Sequence, residues 1–295
     1  MVQAWNFAAE LARYGPSAPP VGLDVARAYC GSVTRRHYEN FTVVSWLLPR
    51  RLVPHFHAVY AWCRWADDLA DETGSEASAM LDWWNAELEA CYAGEPRHPV
   101  TVVLRETVRR FDIPKERFAD LLSAFRQDQV VTDYDSFAQL EDYCRRSANP
   151  VGRLVLHLFE AHRSECLEPS DAICTGLQLA NFWQDVSRDQ ADGRIYLPKE
   201  DRVRFGVAPE TWHTQPAAMR ELIRFQVDRT HTYFDRGACL PAMLPRSARI
   251  DVDLFLRGGR AVLRAIAAQN FDVLARRPTV GKARKLMLLA RAIVA

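Results

Sequence analysis

The sequence lacks most features that would assign it to a common class at once. No stretch approaches the roughly 18 apolar residues of a membrane span, and the formal net charge of +1 gives no global field that favours nucleic acid. The seven cysteines are scattered and form no CxxC pair, which is typical of reduced thiols in a cytoplasmic protein. The first residues have no basic region and are interrupted by Glu10 and Arg13, so we expect no signal peptide. No GxGxxG or P-loop phosphate motif is present.

Strand-type alternation is also absent, and helical periodicity dominates. With 48% hydrophobic and 11% aromatic residues, the chain can bury a large core. We predict one all-α domain over residues 1–295, with a helix and linker at 1–22 and a central cavity between antiparallel helices. The predicted helices include Glu39–Leu48, Phe137–Ser147, Ser170–Gln190, Asp251–Arg276 and Gly281–Ile293.

Two clusters of aspartates stand out on predicted apolar helices. The first cluster comprises Asp67, Asp68 and Asp71 in the segment RWADDLAD, directly after several aromatic residues. Their three- and four-residue spacing places them on one helical face. Asn181, Asp185 and Asp189 form a second polar stripe at four-residue steps. Oxygen ligands of this kind suit Mg²⁺ bound together with substrate phosphates. A solvated helix end is the alternative for either motif alone, whereas two facing stripes would clamp a diphosphate through bridging metals.

Together with three further stretches, these motifs resemble the squalene/phytoene synthase family. The stretches are HYENF (His37–Phe41), YCRRSANPVG (Tyr143–Gly152) and DGRIYLP (Asp192–Pro198). The sequences of the motifs HYENF, RRSANPVG and NFWQD are most similar to those of the bacterial hydroxysqualene synthase branch of hopanoid-type squalene biosynthesis. The resemblance covers roughly Val25 to Leu286 and implies an isoprenoid synthase-type helical bundle.

The resemblance also implies roles for individual residues. Metal ligands would be Asp67, Asp68, Asp71, Asp185 and Asp189, and Asn181 would add a neutral oxygen as a catalytic candidate beside the aromatic Tyr143 and Tyr196. The residues that would bind diphosphate are His37, Tyr38, Asn40, Phe41, Arg64, Gln184 and Arg260.

Several of these roles have ordinary structural alternatives. Arg64 could form a surface salt bridge, Arg260 could be solvated, and the tyrosines could simply pack. Glycines 258 and 259 would let the backbone approach closely beside Arg260. Three positions depart from the family pattern: Tyr38 and Asn40 replace small hydroxyls, and Gln184 stands where phytoene-type members have arginine.

The predicted function is Mg²⁺-dependent conversion of presqualene diphosphate and water to hydroxysqualene and pyrophosphate, without NADPH. The alternatives are a head-to-head prenyl transferase that makes presqualene or phytoene diphosphate, and a non-catalytic binding or assembly module. The expected partner is the isoprenoid diphosphate, and no nucleic acid is expected. A peripheral contact at the inner membrane face and coupling to other squalene-pathway enzymes are hypotheses.

Overall fold

The computed structural model describes residues 5–36 and 48–281. In these ranges the chain is helical apart from short 3₁₀ turns and one isolated bridge between Asp133 and Ile195, which confirms the all-α prediction. The chain divides into two compact units, one of Met1–Val130 with Arg153–His162 and the other of Val131–Gly152 with Arg163–Ala295. None of the described helices combines the length and apolarity needed to cross a membrane.

The first unit contains α1 (Phe7–Tyr14), α2 (Leu23–Arg36), α3 (Val53–Glu72), α4 (Ala77–Ala93), α5 (Pro99–Arg110) and α6 (Glu116–Gln127). The helix α8 (Asn149–Leu158) has residues in both units. The second unit contains α7 (Phe137–Ser147), α9 (Ser164–Ala191), α10 (Lys199–Arg204), α11 (Pro216–Gly237), α12 (Leu240–Met243) and α13 (Arg246–Ala268).

In the first unit α3 is the central helix and packs against α2, α4, α5 and α6. Its buried face presents Trp62 and Trp65, which stack on Trp84 of α4 at centroid distances of 6.2 and 5.6 Å. Pro54 lies in the first turn of α3, where proline costs no helical hydrogen bond. Burial of these large rings fixes the helix that carries Asp67, Asp68 and Asp71.

In the second unit α9 is the long central helix and packs against α7, α11 and α13. The indole of Trp183 on α9 donates to the hydroxyl of Thr230 on α11 at 2.8 Å. Gly259 of α13 lies against the ring of Phe234, and any Cβ there would collide with that ring. Small residues therefore bring these helices close together and hold α9, the carrier of the second acidic stripe.

Helix boundaries agree with the sequence in part. Phe137–Ser147 is confirmed, with the Ser136 hydroxyl accepting from the N–H of Gln139 at the N-cap. The predicted start at Ser170 is wrong, because α9 begins at Ser164 and contains Pro169. The predicted end at Arg276 is also wrong: α13 ends at Ala268, and Asn270 and Phe271 then adopt left-handed φ angles of 53° and 59°. The predicted helices Glu39–Leu48 and Gly281–Ile293 lie outside the described residues.

Candidate active site

The first acidic motif lies in the last turns of α3 and has two different faces. The side chain of Asp67 is 44% exposed and Asp71 is exposed, whereas Asp68 is fully buried. Arg64, one turn earlier, contacts Asp67 through Nη1 at 3.2 Å and donates to Asp68 Oδ1 through Nη2. The other oxygen of Asp68 accepts from the Trp5 indole at 2.9 Å. Asp67 and Asp71 are therefore the two carboxylates that a ligand can reach.

A third carboxylate, Asp128, influences this motif electrostatically. Desolvation raises the pKa of Asp67 to about 6, and the guanidinium of Arg64 lowers it less than burial raises it. The negative charges of Asp71, Asp68 and Asp128 raise that pKa further. Asp128 is the C-cap residue of α6 and was not singled out from the sequence. A bound cation would relieve this crowding of like charges.

The second motif lies on α9 in the second unit. Asn181 is exposed, the side chain of Asp185 is 22% exposed, and Asp189 is half-buried. Burial raises the pKa of Asp189 to about 7, and the neighbouring charge of Asp185 adds to this. The charge of Asp185, one helical turn away, thus opposes ionisation of Asp189, as the neighbouring carboxylates do for Asp67 in the first motif.

Arg277 forms the shorter of two ion pairs with Asp185, since Arg188 Nη1 lies 3.7 Å from the same carboxylate. Its Nε and Nη2 atoms donate to the two oxygens of Asp185 at 2.5 and 2.8 Å, a bidentate pair. Nη2 also contacts Gln184 Oε1 at 3.2 Å, while Gln184 Nε2 donates to the Pro278 carbonyl at 2.5 Å. Ser187 donates to the carbonyls of Val273 and Leu274. The buried amide of Gln184 therefore holds the Arg277 segment on α9, and its donor and acceptor atoms are both in use.

Arg260, a predicted diphosphate contact, lies against α11 in the structure. Its Nη2 atom donates to Asp235 at 2.6 Å and contacts the carbonyl of Phe234 at 3.2 Å, both on α11. Of the two neighbouring glycines, Gly259 makes room for the ring of Phe234. At Gly258 the described residues would leave space for a side chain. In the structure Arg277, and not Arg260, pairs with Asp185, so sequence reasoning missed the arginine of this motif.

Both predicted tyrosines belong to one aromatic cluster in the second unit. The ring of Tyr196 stacks on Phe182 of α9 at 3.8 Å, and Tyr143 stacks on Tyr196 at 6.2 Å. Tyr134 completes the cluster at 5.9 Å from Tyr196. The cluster adjoins the second motif, because Phe182 directly follows Asn181 on α9. In the structure these four rings pack against one another. Their π faces are also suited to stabilise a cation.

A buried guanidinium holds the loops that carry Tyr134 and Tyr196. Arg202 of α10 donates to both oxygens of Asp133 at 2.5 and 2.6 Å, and its Nε donates to the Leu197 carbonyl at 2.9 Å. The Ile195 N–H donates to the Thr132 carbonyl at 2.7 Å. These bonds join the two loops side by side. The remaining predicted positions, His37, Tyr38, Asn40 and Phe41, lie outside the described residues.

The donor set of each motif fits a hard divalent cation. No group of three or more His, Cys, Asp or Glu side chains that could hold a metal ion occurs within residues 5–36 and 48–281. Mg²⁺ is commonly held by one or two carboxylates and completes its coordination with waters and substrate phosphate oxygens. Asp67 with Asp71, and Asp185 with Asp189, are oxygen pairs of this kind. Burial raises the pKa values of Asp67 and Asp189, and the charges of the neighbouring carboxylates, which a cation would offset, raise them further.

An all-α chain with two aspartate-rich helical motifs has the architecture of enzymes that process isoprenoid diphosphates. The squalene/phytoene synthase family model matches residues 34–284, and the chain belongs to that family. The 15-cis-phytoene synthase of Synechocystis sp. is 31% identical over 304 residues, covering 95% of this chain and 88% of that protein. Members of the family are prenyltransferase-type enzymes that use divalent metal to bind diphosphate.

Two solved structures share the fold at appreciable identity. Squalene synthase HpnC from Alicyclobacillus acidocaldarius superposes with a TM-score of 0.81 at 42% identity, covering 85% of this chain and 97% of that one. A dehydrosqualene synthase in complex with ligand gives a TM-score of 0.82 at 26% identity, covering 92% of this chain and 96% of that one. The predicted family is thereby confirmed.

Proposed function

We propose that this protein converts presqualene diphosphate and water to hydroxysqualene and pyrophosphate. The observation that carries the proposal is the environment of residue 184. Where phytoene-type members have arginine, this chain has a neutral Gln184 whose amide holds Arg277 against Asp185, so position 184 supplies no cation for a second diphosphate. The similarity to the squalene synthase HpnC supports the same branch.

In the proposed reaction the C–O bond to the diphosphate breaks and its electron pair leaves on the pyrophosphate oxygen. The cyclopropylcarbinyl cation rearranges, water forms the new C–O bond, and the added water loses one proton. Mg²⁺ bound within each motif, by Asp67 with Asp71 and by Asp185 with Asp189, would act as a Lewis acid on a diphosphate leaving group. Asp68, the remaining acid of the two motifs, instead accepts a hydrogen bond from Arg64.

The other residues of the site have roles that follow from their positions. Arg64 and Arg277 are guanidiniums beside the acidic pairs, and guanidinium geometry suits phosphate oxygens. The stacked rings of Tyr143 and Tyr196 would face the cation with their π electrons, and Asn181 offers an exposed amide. We keep His37, Tyr38, Asn40 and Phe41 as predicted diphosphate contacts, and we propose no hydride donor.

A second candidate is head-to-head prenyl transfer to presqualene or phytoene diphosphate. The phytoene synthase relatives at 31% identity favour it. This reaction joins two prenyl diphosphates, so it requires the site to neutralise a second diphosphate. A non-catalytic binding role would need no ionised, metal-binding carboxylates, and we rank it below both enzymes.

Product analysis by mass spectrometry separates these functions. Purified protein would be incubated with presqualene diphosphate, and separately with farnesyl or geranylgeranyl diphosphate, each with Mg²⁺ and without NADPH. We expect hydroxysqualene from presqualene diphosphate, with a loss of roughly 100-fold or more in Asp67→Ala. The Asp142→Asn variant, altered in an exposed carboxylate of α7, should retain activity. Presqualene or phytoene diphosphate from a prenyl diphosphate would replace the proposal with the second candidate, and no product from any substrate would favour a binding role.

A further inference from the structure

The N-terminal residues form a polar contact with the first acidic motif. Trp5 Nε1 donates to Asp68 Oδ2 at 2.9 Å across 63 residues of sequence. Arg64 donates to the other oxygen, and the side chain of Asp68 has no exposed surface. Both oxygens of Asp68 therefore accept from protein donors, so this carboxylate is not available as a metal ligand in the way that the exposed Asp67 is.

Trp5 is itself held in place by α1 and α2. The guanidinium of Arg36 lies over the Trp5 ring at 6.0 Å and pairs with Glu10 of α1 at 2.6 Å. The Asn6 side chain caps α1 by accepting from the N–H of Ala9 at 3.1 Å. Phe7 is buried and packs edge-on against Trp65 of α3 at 5.2 Å. The indole N–H therefore has a defined direction toward Asp68.

The guanidinium of Arg64 contacts two carboxylates at once. Nη2 binds the buried Asp68, and Nη1 approaches the accessible Asp67 at 3.2 Å. If Asp68 turned away, the whole guanidinium would be free to pair with Asp67. That pairing would place a cation on the oxygens that the proposed function assigns to a metal ion.

We propose that Trp5 is a positioning residue of the active site: its hydrogen bond fixes Asp68, which retains Arg64 and leaves Asp67 accessible to a divalent cation. The N-terminal segment then belongs to the site, although it contributes no group that touches the substrate. This inference depends on the metal-binding role given to Asp67 under the proposed function.

The test is Mn²⁺ binding to the full chain, measured by the electron paramagnetic resonance signal of the free ion. Trp5→Phe keeps an aromatic ring under Arg36 and removes the N–H donor to Asp68. A hydrogen bond to a charged group is the interaction lost, so we expect Mn²⁺ affinity to fall about tenfold. Tyr92→Phe is the matched control, because it removes an aromatic hydrogen-bond donor of the same unit, the hydroxyl that binds the Ile113 carbonyl at 2.8 Å, without touching Asp68. This control should lower the melting temperature and leave Mn²⁺ affinity unchanged.

A double-variant cycle identifies the route of the effect. If Trp5 acts through Asp68, Trp5→Phe should change Mn²⁺ affinity by less than about twofold in an Asp68→Asn background. Additive effects, or a Trp5→Phe variant that loses thermal stability but no affinity, would overturn the inference. Absence of Mn²⁺ binding to the unaltered protein would overturn it together with the metal assignment. Normal Mn²⁺ binding without turnover of presqualene diphosphate would overturn only the proposed reaction.

Discussion

Divalent metal binding to this protein should depend strongly on pH, because one of its proposed ligands is protonated near neutrality. Burial, aided by the charge of Asp185, raises the pKa of Asp189 to about 7. A metal ion binds the ionised carboxylate and must displace the proton. Affinity should therefore increase as the pH rises through 7, and binding should release protons.

The size of the effect follows from this pKa. With a pKa of about 7, about one Asp189 in ten is ionised at pH 6 and about nine in ten at pH 8. Apparent affinity should therefore rise about tenfold between these two values. Asp67, with a pKa of about 6, adds a smaller change in the same direction, which its 44% exposure reduces.

The measurement is the Mn²⁺ dissociation constant at pH 6, 7 and 8, taken without pyrophosphate because pyrophosphate also titrates in this range. Asp189→Asn keeps an oxygen but has no proton to lose, so binding should weaken and most of its pH dependence should disappear. Asp142→Asn is the control: hydrogen bonds from Arg145 and Arg146 lower the pKa of Asp142, which stays ionised throughout. A dissociation constant that is the same at pH 6 and 8 would refute the role of Asp189.

Three further changes have defined outcomes. In calorimetric titrations, Arg277→Gln should strengthen Mn²⁺ binding measured without pyrophosphate, because a cation that competes for Asp185 is lost. The same variant should weaken pyrophosphate binding in the presence of Mg²⁺. The control Arg276→Gln should change neither affinity. Burial raises the pKa of Asp251 to about 7, so wild-type stability should fall by about 3 kcal/mol between pH 5 and 8 through this group. Urea unfolding of Asp251→Asn should lack that loss, and an unchanged pH dependence would contradict the assignment. Arg202→Met should cost about 2 kcal/mol in urea unfolding, because it removes a buried, hydrogen-bonded cation, and no loss would show that its bonds are replaced.

The sign of the Asp251 prediction follows from its surroundings. The side chain is 1% exposed, and neither carboxylate oxygen has a hydrogen-bond partner within residues 5–36 and 48–281. The folded state therefore holds the proton up to about pH 7, whereas the unfolded chain releases it near its ordinary pKa of 3.8. Folding is favoured below that ordinary value, and this contribution is lost as the pH rises toward 7.

Local sequence signals located those helices whose ends depend on local chemistry. The Ser136 cap begins α7, and Gly94 ends α4 in a left-handed conformation with φ of 108°. The start of α9 was mispredicted because Pro169 resembles a first-turn proline. In the fold, Gly237 of α11 packs close to the Pro169 carbonyl, so tertiary packing accommodates a proline inside the helix.

The end of α13 could not be read from periodicity, because the apolar pattern continues past Ala268. The chain leaves the helix at Asn270 and Phe271, and its next residues bind α9 through Ser187 and Gln184. These contacts join positions 86 and 94 residues apart, which no local pattern encodes. For the same reason, the resemblance pointed to Arg260, whereas the fold brings Arg277 to Asp185 from 92 residues away.

The two acidic motifs share an arrangement that links metal binding to anion binding. In each unit an arginine pairs with a carboxylate of the motif, Arg64 with Asp68 and Asp67, and Arg277 with Asp185. A divalent ion that binds the accessible carboxylates competes with each arginine for its carboxylate partner. The released donors can then bind an anion that arrives with the metal. The same guanidiniums thus neutralise the acids before the metal binds and are available to phosphate oxygens afterwards, which is why the arginines should respond to metal and to pyrophosphate in opposite directions.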